Sequence, residues 1–323
     1  MNVTLSIVIV SWNVREKLSD CLRSIENNPP SVHNEVIVVD NASTDGSAEM
    51  IKKDFPGVVS IANKENLGFA AANNQGLESA NGRYILFLNP DTIVHPLSLD
   101  TLVRFMEENK DIGACGPKLL NEDGTTQPSA RRFPTFRGAL YRHTVFRHLR
   151  LFRGQYKKWL MRDFDHNRQV DVDQLIGAAL MVGRLVVDHV GAMDERFFMF
   201  YEEVDLCYRI KQAHWRVVFT PQVVITHLGG QSAKQVPVAK RIMVLTSLLA
   251  FFRKHRGKSA TALFNCIFKP AVILRDICNI ASGTLMYIVA LTAANSSKRQ
   301  KSAAKIKNSS TLLCKYTWRL IRI

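Results

Sequence analysis

Short apolar runs alternate with segments of helical spacing along the first ninety residues. Ser6-Ile7-Val8-Ile9-Val10 is apolar and β-branched, which predicts a central strand. Val14, Leu18, Cys21, Leu22 and Ile25 recur at helical spacing, so residues 14–27 read as a helix that Pro29-Pro30 stops. Residues 35–40 read as a second strand ending in Asp40, and the polar turn over residues 41–47 caps a following helix. Residues 58–61 form a short third strand, 68–79 an Ala-rich helix, and 84–88 a fourth strand. This βαβαβαβ order predicts an α/β fold with a single doubly wound, mostly parallel sheet flanked by helices.

The fourth strand, Tyr84-Ile85-Leu86-Phe87-Leu88, stops abruptly at Asn89-Pro90-Asp91. Proline cannot donate to a strand ladder, so Pro90 ends the strand. Asp91 is then held at the carboxyl edge of the sheet, where open α/β folds bind ligands. A carboxylate there suits a hard divalent cation and, through it, phosphates. One strand-ending Asp could simply start a turn. Asp40 and Asp91 at the same edge favour a ligand site.

Later elements add chemistry. Residues 175–182 read as a further strand, whose Gly177-Ala178-Ala179 would let a substrate approach the backbone closely. Leu206, Ile210 and Ala213 share a helical face, so Glu202, Glu203 and Asp205 fall in the first turn of a helix, after the aromatic run Phe197 to Tyr201. Acids favour that position through the macrodipole, and Asp205 can pair with Arg209. Three acids beside an aromatic run exceed that explanation. Residues 216–226 read as a strand broken by Pro221, which delivers His227 just before Leu228-Gly229-Gly230.

Charge is unevenly placed. Residues 1–233 carry 26 Lys/Arg and 27 Asp/Glu, whereas residues 234–323 carry 17 Lys/Arg and a single acid, Asp276, so the tail holds all of the +15 excess. Its basic residues are interleaved with long apolar runs, a pattern for an anionic membrane surface and not for nucleic acid. Twenty-one uncharged residues separate Asp276 from Lys298, enough in principle to span a bilayer. Polar residues dilute them, so peripheral attachment is the favoured reading, with 277–297 as a marginal span. The organisation expected is an α/β domain over 1–235, carrying a basic aromatic insertion at 128–170. A helical membrane-associating region follows over 236–297, then a flexible basic tail over 298–323. The six cysteines show no CxxC pair, which argues against a zinc site or a disulfide framework and fits the cytoplasmic face of a membrane. The apolar stretch Leu5 to Trp12 lacks the flanks of a signal sequence and reads as a strand.

Seven stretches occur together in order: Ser6-Ile-Val-Ile-Val-Ser-Trp-Asn13, Val39-Asp-Asn-Ala-Ser-Thr-Asp-Gly46, Asn66-Leu-Gly-Phe-Ala-Ala-Ala-Asn-Asn74, Phe87-Leu-Asn-Pro-Asp91, Gly177-Ala-Ala-Leu-Met-Val182, Phe198 to Arg209, and His227. In these the chain resembles the family 2 glycosyltransferases of the GT-A fold, especially the bacterial rhamnosyltransferase-like group. The resemblance implies a metal-dependent inverting transferase. Its donor would be a nucleoside-diphosphate sugar, dTDP-rhamnose first among them, and its acceptor a hydroxyl of a cell-surface glycan or polyprenyl-linked lipid. Other UDP- or GDP-sugars, or an inactive scaffold of glycan assembly, are the alternatives. The resemblance assigns Asp40 to the base or ribose, with Asn41, Ser43, Asn66, Gly68, Asn73 and Asn89 around the donor. Asp91 and His227 would hold Mg2+ or Mn2+ or the diphosphate. Glu203 would be the catalytic base, with Glu202 and Asp205 as near alternatives, and Trp215 would pack near the acceptor. Two departures stand out: Asn89 replaces the first acid of the family's Asp-x-Asp element, and Glu203 stands where many relatives have Asp.

A nicotinamide-binding enzyme would need a Gly-rich turn after the first strand, and Val10 to Arg15 contains no glycine. A glycoside hydrolase uses paired carboxylates but needs neither the Asp40 turn nor an Asn-Pro-Asp strand end.

Overall fold

In a computed structural model, which describes residues 3–292 and 296–316, the first strand β1 is Leu5–Ser11, buried along its whole length. Helices α1 (Arg15–Asn27), α2 (Ser47–Asp54) and α3 (Phe69–Ser79) alternate with strands β2 (Asn34–Asp40), β3 (Val59–Ala62) and β4 (Tyr84–Leu88). Next come β5 (Thr92–Val94), α4 (Ser98–Glu108), β6 (Ile112–Leu120) and the two-residue strands β7 (Thr126–Gln127) and β8 (Ala130–Arg131). Helices α5 (Phe136–His143) and α6 (Arg153–Trp159) precede β9 (Val170–Asp171), β10 (Gln174–Leu175), β11 (Ala179–Gly183), α7 (Arg184–Val190), α8 (Glu202–Gln212) and β12 (Arg216–His227). Helices α9 (Gln231–Lys234), α10 (Pro237–Arg256), α11 (Lys258–Thr292) and α12 (Ser296–Thr311) follow.

The chain divides into two compact units, Met1–Phe133 with Leu160–Gln235, and Pro134–Trp159 with Val236–Ile323. The first unit is an α/β sheet in the order β3-β2-β1-β4-β11-β6-β12-β5, with β7 on β6 and β9 on β12. β3, β2, β1 and β4 are mutually parallel, as the alternation predicted. β11 then enters antiparallel between β4 and β6, and β12 runs parallel to β6. Alternate residues feed two cores, one on each face of the sheet. Ile7, Ile9, Leu86 and Leu88 pack with Leu18, Leu22, Ile51 and Leu102 from α1, α2 and α4. Val8, Ile85 and Phe87 pack with Ala70, Leu77, Leu206 and Ile210 from α3 and α8. Each such large side chain contributes about 1.5–3 kcal/mol by burial.

The expectations for two strands need correction. Pro221 does not break β12: the strand continues to His227, and a register shift against β6 between Thr220 and Val224 absorbs the proline. The strand expected over 175–182 is two strands, β10 paired with β8 and β11 in the large sheet. They part at Ile176–Ala178, where Gly177 lies against Glu203.

The second unit is helical. Phe136, Phe252, Phe264 and Phe268 form a ring cluster with centroids 4.6–5.4 Å apart. α11 is long and apolar enough to cross a membrane, although only 17% of its most apolar window is buried. The tail expected to be flexible is helical over Ser296–Thr311, because alanines and long straight side chains favour helix there. Gly283 of α11 admits Ile306 of α12, since a Cβ at Gly283 would stand 2.9 Å from the Ile306 side chain. The rest of the expected span and tail, residues 293–295 and 317–323, lies outside the described residues.

Candidate active site

Strand register explains why the distant acids meet at one edge. β1 pairs with β2 on one side and β4 on the other, Ser11 opposite Asp40 and Ile9 opposite Leu88. Asp40 and Asn89-Pro90-Asp91 therefore emerge from the same carboxyl edge. β12 runs antiparallel to β5 with His227 opposite Thr92, which sets the histidine beside Asp91.

His227 Nε2 lies 3.3 Å from Asp91 Oδ1 and 3.3 Å from the Asn89 side-chain amide. Both residues are buried, at 7% and 4% exposure. The other ring nitrogen, Nδ1, donates to Gln127 Oε1 at 2.6 Å, since that oxygen can only accept. Gln127 is held in turn, its Nε2 donating to the His227 carbonyl at 3.1 Å and to Asn121 Oδ1 at 2.9 Å. The ring is thus fixed with Nε2 toward Asp91. Asp91 Oδ2 accepts from the Gln231 backbone N–H at 3.2 Å. Burial pushes the Asp91 carboxyl up, but the hydrogen bond and charge of His227 and the Gln231 N–H outweigh it, leaving Asp91 below its ordinary range.

Asp40 ends β2 with its carboxylate buried. Oδ2 accepts from the Ser43 N–H at 3.0 Å, whereas buried Oδ1 has no hydrogen-bond partner among the described residues. The turn beyond is laced to the end of β1: Ser43 Oγ accepts from the Asn13 N–H at 2.9 Å, and Asn13 Oδ1 accepts from the Thr44 N–H at 2.7 Å. Asn41 donates to Asn66 Oδ1 at 3.0 Å and to the Gly68 carbonyl at 3.1 Å, and accepts from Asn63 and from the Leu67 N–H. Asn41, Asn66 and Gly68 therefore spend polar groups on one another and shape the loop over residues 63–68, while Ser43 is bonded to Asp40 and Asn13. Asn73, also expected in the donor pocket, is buried within α3 and donates to its own helix at Phe69 O, 2.8 Å away.

That loop is fastened to the segment preceding the acids. Gly68 has φ +91°, and a Cβ on it would lie 2.5 Å from the Phe198 carbonyl oxygen, which accepts from the Phe69 N–H at 2.6 Å. Phe200 and Tyr201 are both left-handed, at φ 69° and 72°. Such conformations cost on the order of 1–3 kcal/mol each in non-glycine residues and concentrate at functional sites. They turn the chain into α8, whose first two residues are Glu202 and Glu203.

The three acids of α8 are not equivalent. Asp205 is fully buried and pairs with Arg209 Nε at 2.8 Å. Arg209 also donates to the carbonyls of Val190, Gly191 and Ala192 at the end of α7. Asp205 is thus committed to tying α8 to α7. Glu202 is buried and Glu203 half-buried, and each has an enclosed Oε2 without a hydrogen-bond partner among the described residues. Burial, then the neighbouring Glu203 charge, raises the Glu202 carboxyl well above its ordinary range. Burial also raises Glu203, with backbone N–H groups and the Arg131 charge pulling against it. A Cβ on Gly177 would lie 3.5 Å from the Glu203 Cβ and Cγ.

Trp215 does not belong to this edge. It precedes β12 at Arg216, whose partner is Ile112, and its Cβ crowds Gly113. A strand of roughly 35 Å separates it from His227. Gln127 and Gln231 gave no sequence signal, and Arg131 was legible only as part of the basic aromatic insertion: Gln127 lies 100 residues before His227, and only the β6–β7 hairpin brings it back.

The edge offers part of a donor set for a hard divalent cation. Among the described residues no three or more His, Cys, Asp and Glu side chains cluster as a complete cage. Asp91 and His227 offer a partial set, with the Asn89 side-chain nitrogen against the His227 ring, and Mg2+-type sites are completed by substrate phosphates and water. Asp91 Oδ1 and His227 Nε2 lie 3.3 Å apart at one strand end, close enough for one cation to reach both.

The Glycosyl transferase family 2 profile matches residues 6–167. The chain is 29% identical over 256 residues, 74% of its own length and 80% of the relative's, to the N-acetylglucosaminyl-diphospho-decaprenol L-rhamnosyltransferase of Mycobacterium tuberculosis. It is 27% identical to the low-salt glycan biosynthesis hexosyltransferase Agl10 of Haloferax volcanii over 212 residues, 64% of this chain and 62% of that one. Its fold is similar to that of the mannosyltransferase PcManGT from Pyrobaculum calidifontis, solved in complex with GDP-Man and Mn2+, with a TM-score of 0.56 at 16% identity over 97% of this chain and 87% of that one. With an α/β sheet of GT-A type and the profile matching half of its length, the chain belongs to glycosyl transferase family 2.

Proposed function

We propose that this protein transfers a sugar from a nucleoside diphosphate to a hydroxyl of a surface glycan or polyprenyl-linked acceptor, with inversion. The observation that carries the reading is the convergence on one sheet edge of Asp91 and His227 at 3.3 Å with the enclosed carboxylate of Asp40. Mg2+ or Mn2+ would be held by Asp91 and His227 and would supply charge neutralisation for the departing diphosphate. Asp40 accepts hydrogen bonds from the nucleoside through its unpartnered Oδ1. The lacing of Asn41, Asn66 and Gly68 holds the donor loop in shape before the donor arrives.

Glu203 takes the proton of the acceptor hydroxyl. It is the more accessible member of the Glu202–Glu203 pair, and its raised proton affinity suits a general base. Glu202, the deeper member, stays protonated over a wider pH range and spares Glu203 a second adjacent charge. Asp205 positions the helix and does not exchange protons with substrate.

Rhamnose is the donor sugar proposed first, supported by the mycobacterial relative, an L-rhamnosyltransferase, at 29% identity. The chain works at the cytoplasmic membrane face, for which the long exposed apolar helix α11 is the support. Thermal melting with nucleoside diphosphates tests the donor site. Stabilisation by dTDP with Mn2+, reversed by EDTA, is expected, and equal melting with and without nucleotide would refute it.

A further inference from the structure

The helical unit contains 23 Lys and Arg residues and one acidic side chain, Asp276. That carboxylate is fully buried and is bonded to Arg241 of α10. Three more arginines gather around the pair. Arg275 precedes Asp276 on α11 and donates to the Arg142 carbonyl of α5 at 3.5 Å. Its guanidinium is penalised most by burial, then by the charge of Arg241 and, less, of Arg147, with the Asp276 carboxylate acting in its favour. The Arg142 guanidinium lies over the Trp159 ring, 5.2 Å from its centroid.

Buried polar atoms in this cluster lack partners. Arg241 Nη2, His143 Nε2, the Trp159 indole Nε1 and Asp276 Oδ2 are all enclosed without a hydrogen-bond partner among the described residues, and His143 is 7% exposed. Burial, then the charges of Arg142, Arg275 and Arg241, pushes the His143 ring well below its ordinary range, so it stays neutral and adds no further cation. Arginine cannot relieve the crowding by losing a proton. Four guanidinium groups against one carboxylate leave the cluster short of negative charge, and half-buried unpaired cations are costly. Guanidinium forks match phosphate oxygens in geometry and charge.

We propose that Arg142, Arg241 and Arg275, with His143 between them, form a binding site for the phosphate or diphosphate group of a lipid. Arg142, Arg241 and Arg275 are half-buried and Arg147 is exposed, so an anion reaches the cluster from solvent. The lipid source follows from α11. Leu263, Ile267, Leu274 and Ile277 are exposed on it at helical spacing, on the helix that carries Arg275. An apolar stripe beside a phosphate-binding fork accommodates a head group whose tail is apolar. No residue of the carboxyl-edge site takes part, so the proposal stands or falls separately from sugar transfer.

The test uses the full chain in detergent micelles with EDTA present. Inorganic pyrophosphate, farnesyl diphosphate, and phosphatidylcholine vesicles with and without phosphatidic acid are the probes, in calorimetry and flotation. Saturable pyrophosphate binding is expected, weakened about tenfold, the size of one charge-assisted pair, by Arg275→Gln and by Arg142→Gln. Lys258→Gln removes an equal charge outside the cluster and should leave it unchanged. Tighter binding of farnesyl diphosphate supports a diphosphate lipid, and a preference for phosphatidic acid vesicles supports a phospholipid head group. Absence of saturable binding to every probe, or equal loss in Lys258→Gln, would overturn the site. If Arg275→Gln fails to fold, Arg142→Gln and Arg275→Lys carry the comparison, and nucleotide binding with Mn2+ confirms that each variant is intact.

Discussion

His227 Nε2 faces Asp91 Oδ1 at 3.3 Å because β12 and β5 pair antiparallel with His227 opposite Thr92. A β5 of only three residues, following Asp91 directly, is what converts two points 136 positions apart into neighbours. The relationship makes the histidine a partner of the acid and gives Gln127 a role that follows from it. Gln127 accepts from Nδ1 and so aims Nε2 at the acid.

Removing Gln127 should therefore weaken metal binding without removing a ligand. Gln127→Ala is expected to raise the Mn2+ concentration for half-maximal activity by about 10–100-fold, as for other partners that orient a ligating histidine. Gln127→Glu, which retains an acceptor, should recover much of it. A metal titration of initial rates distinguishes these outcomes, and an unchanged midpoint in Gln127→Ala would remove Gln127 from this role.

Glu202 and Glu203 should separate in their pH behaviour. Both carboxyls are raised, so each binds its proton more tightly in the folded than in the unfolded chain. Their contribution to stability is present at low pH and is lost as pH rises from the ordinary carboxylate range through the raised folded value. Glu202→Gln should accordingly raise Tm at pH 7.5 more than at pH 4.5, and it should keep substantial turnover. Glu203→Gln should lower kcat by about 100-fold or more, the size of a general-base contribution. The wild-type rate should fall as pH drops through the Glu203 value, above the usual range for glutamate. Full turnover in Glu203→Gln would exclude it as the base.

Two glycines should respond differently to the same methyl group. Gly68→Ala demands both a left-handed alanine and a Cβ 2.5 Å from the Phe198 carbonyl, so the loop and the turn before Glu202 must shift. A drop in Tm together with a rise in donor KM is expected. Gly177→Ala meets Glu203 at ordinary contact distance, 3.5 Å, and should leave Tm within error. Gly177→Val would press on Glu203 and lower kcat. Steady-state kinetics and melting on the three variants check the order.

Much of the sheet edge was legible in the sequence, for a physical reason. Strands that end in Asp40 and in Asn89-Pro90-Asp91 are local events, written in apolar runs and a proline. Parallel alternation then sends both to one edge. The antiparallel entry of β11 and the β6–β7 hairpin were not legible, since they depend on which strands pair across the sheet. Gln127 was missed for that reason. Asn41, Asn66 and Gly68 were expected beside the donor, but side-chain polarity does not reveal whether an amide faces a ligand or another amide. Trp215 was expected near the acceptor from the resemblance alone, and it falls just before the first residue of β12, at the strand end opposite His227.

Asp91→Ala should abolish transfer while preserving fold, because no other carboxylate at this edge is paired with His227 among the described residues. Circular dichroism should match wild type, and activity should fall by more than about 1,000-fold if several kcal/mol of charge stabilisation pass through this residue. His227→Ala should lose less.

The central claim is metal-assisted transfer of a sugar from a nucleoside diphosphate at the edge built by Asp40, Asp91 and His227. A panel of radiolabelled nucleotide-sugars, dTDP-rhamnose included, incubated with membrane lipid extract and the full chain, with Mn2+ or with EDTA, tests it most directly. Incorporation of label from one donor with Mn2+, lost with EDTA and lost in Asp91→Ala, is the expected result. Incorporation that persists undiminished in EDTA and in Asp91→Ala would contradict it.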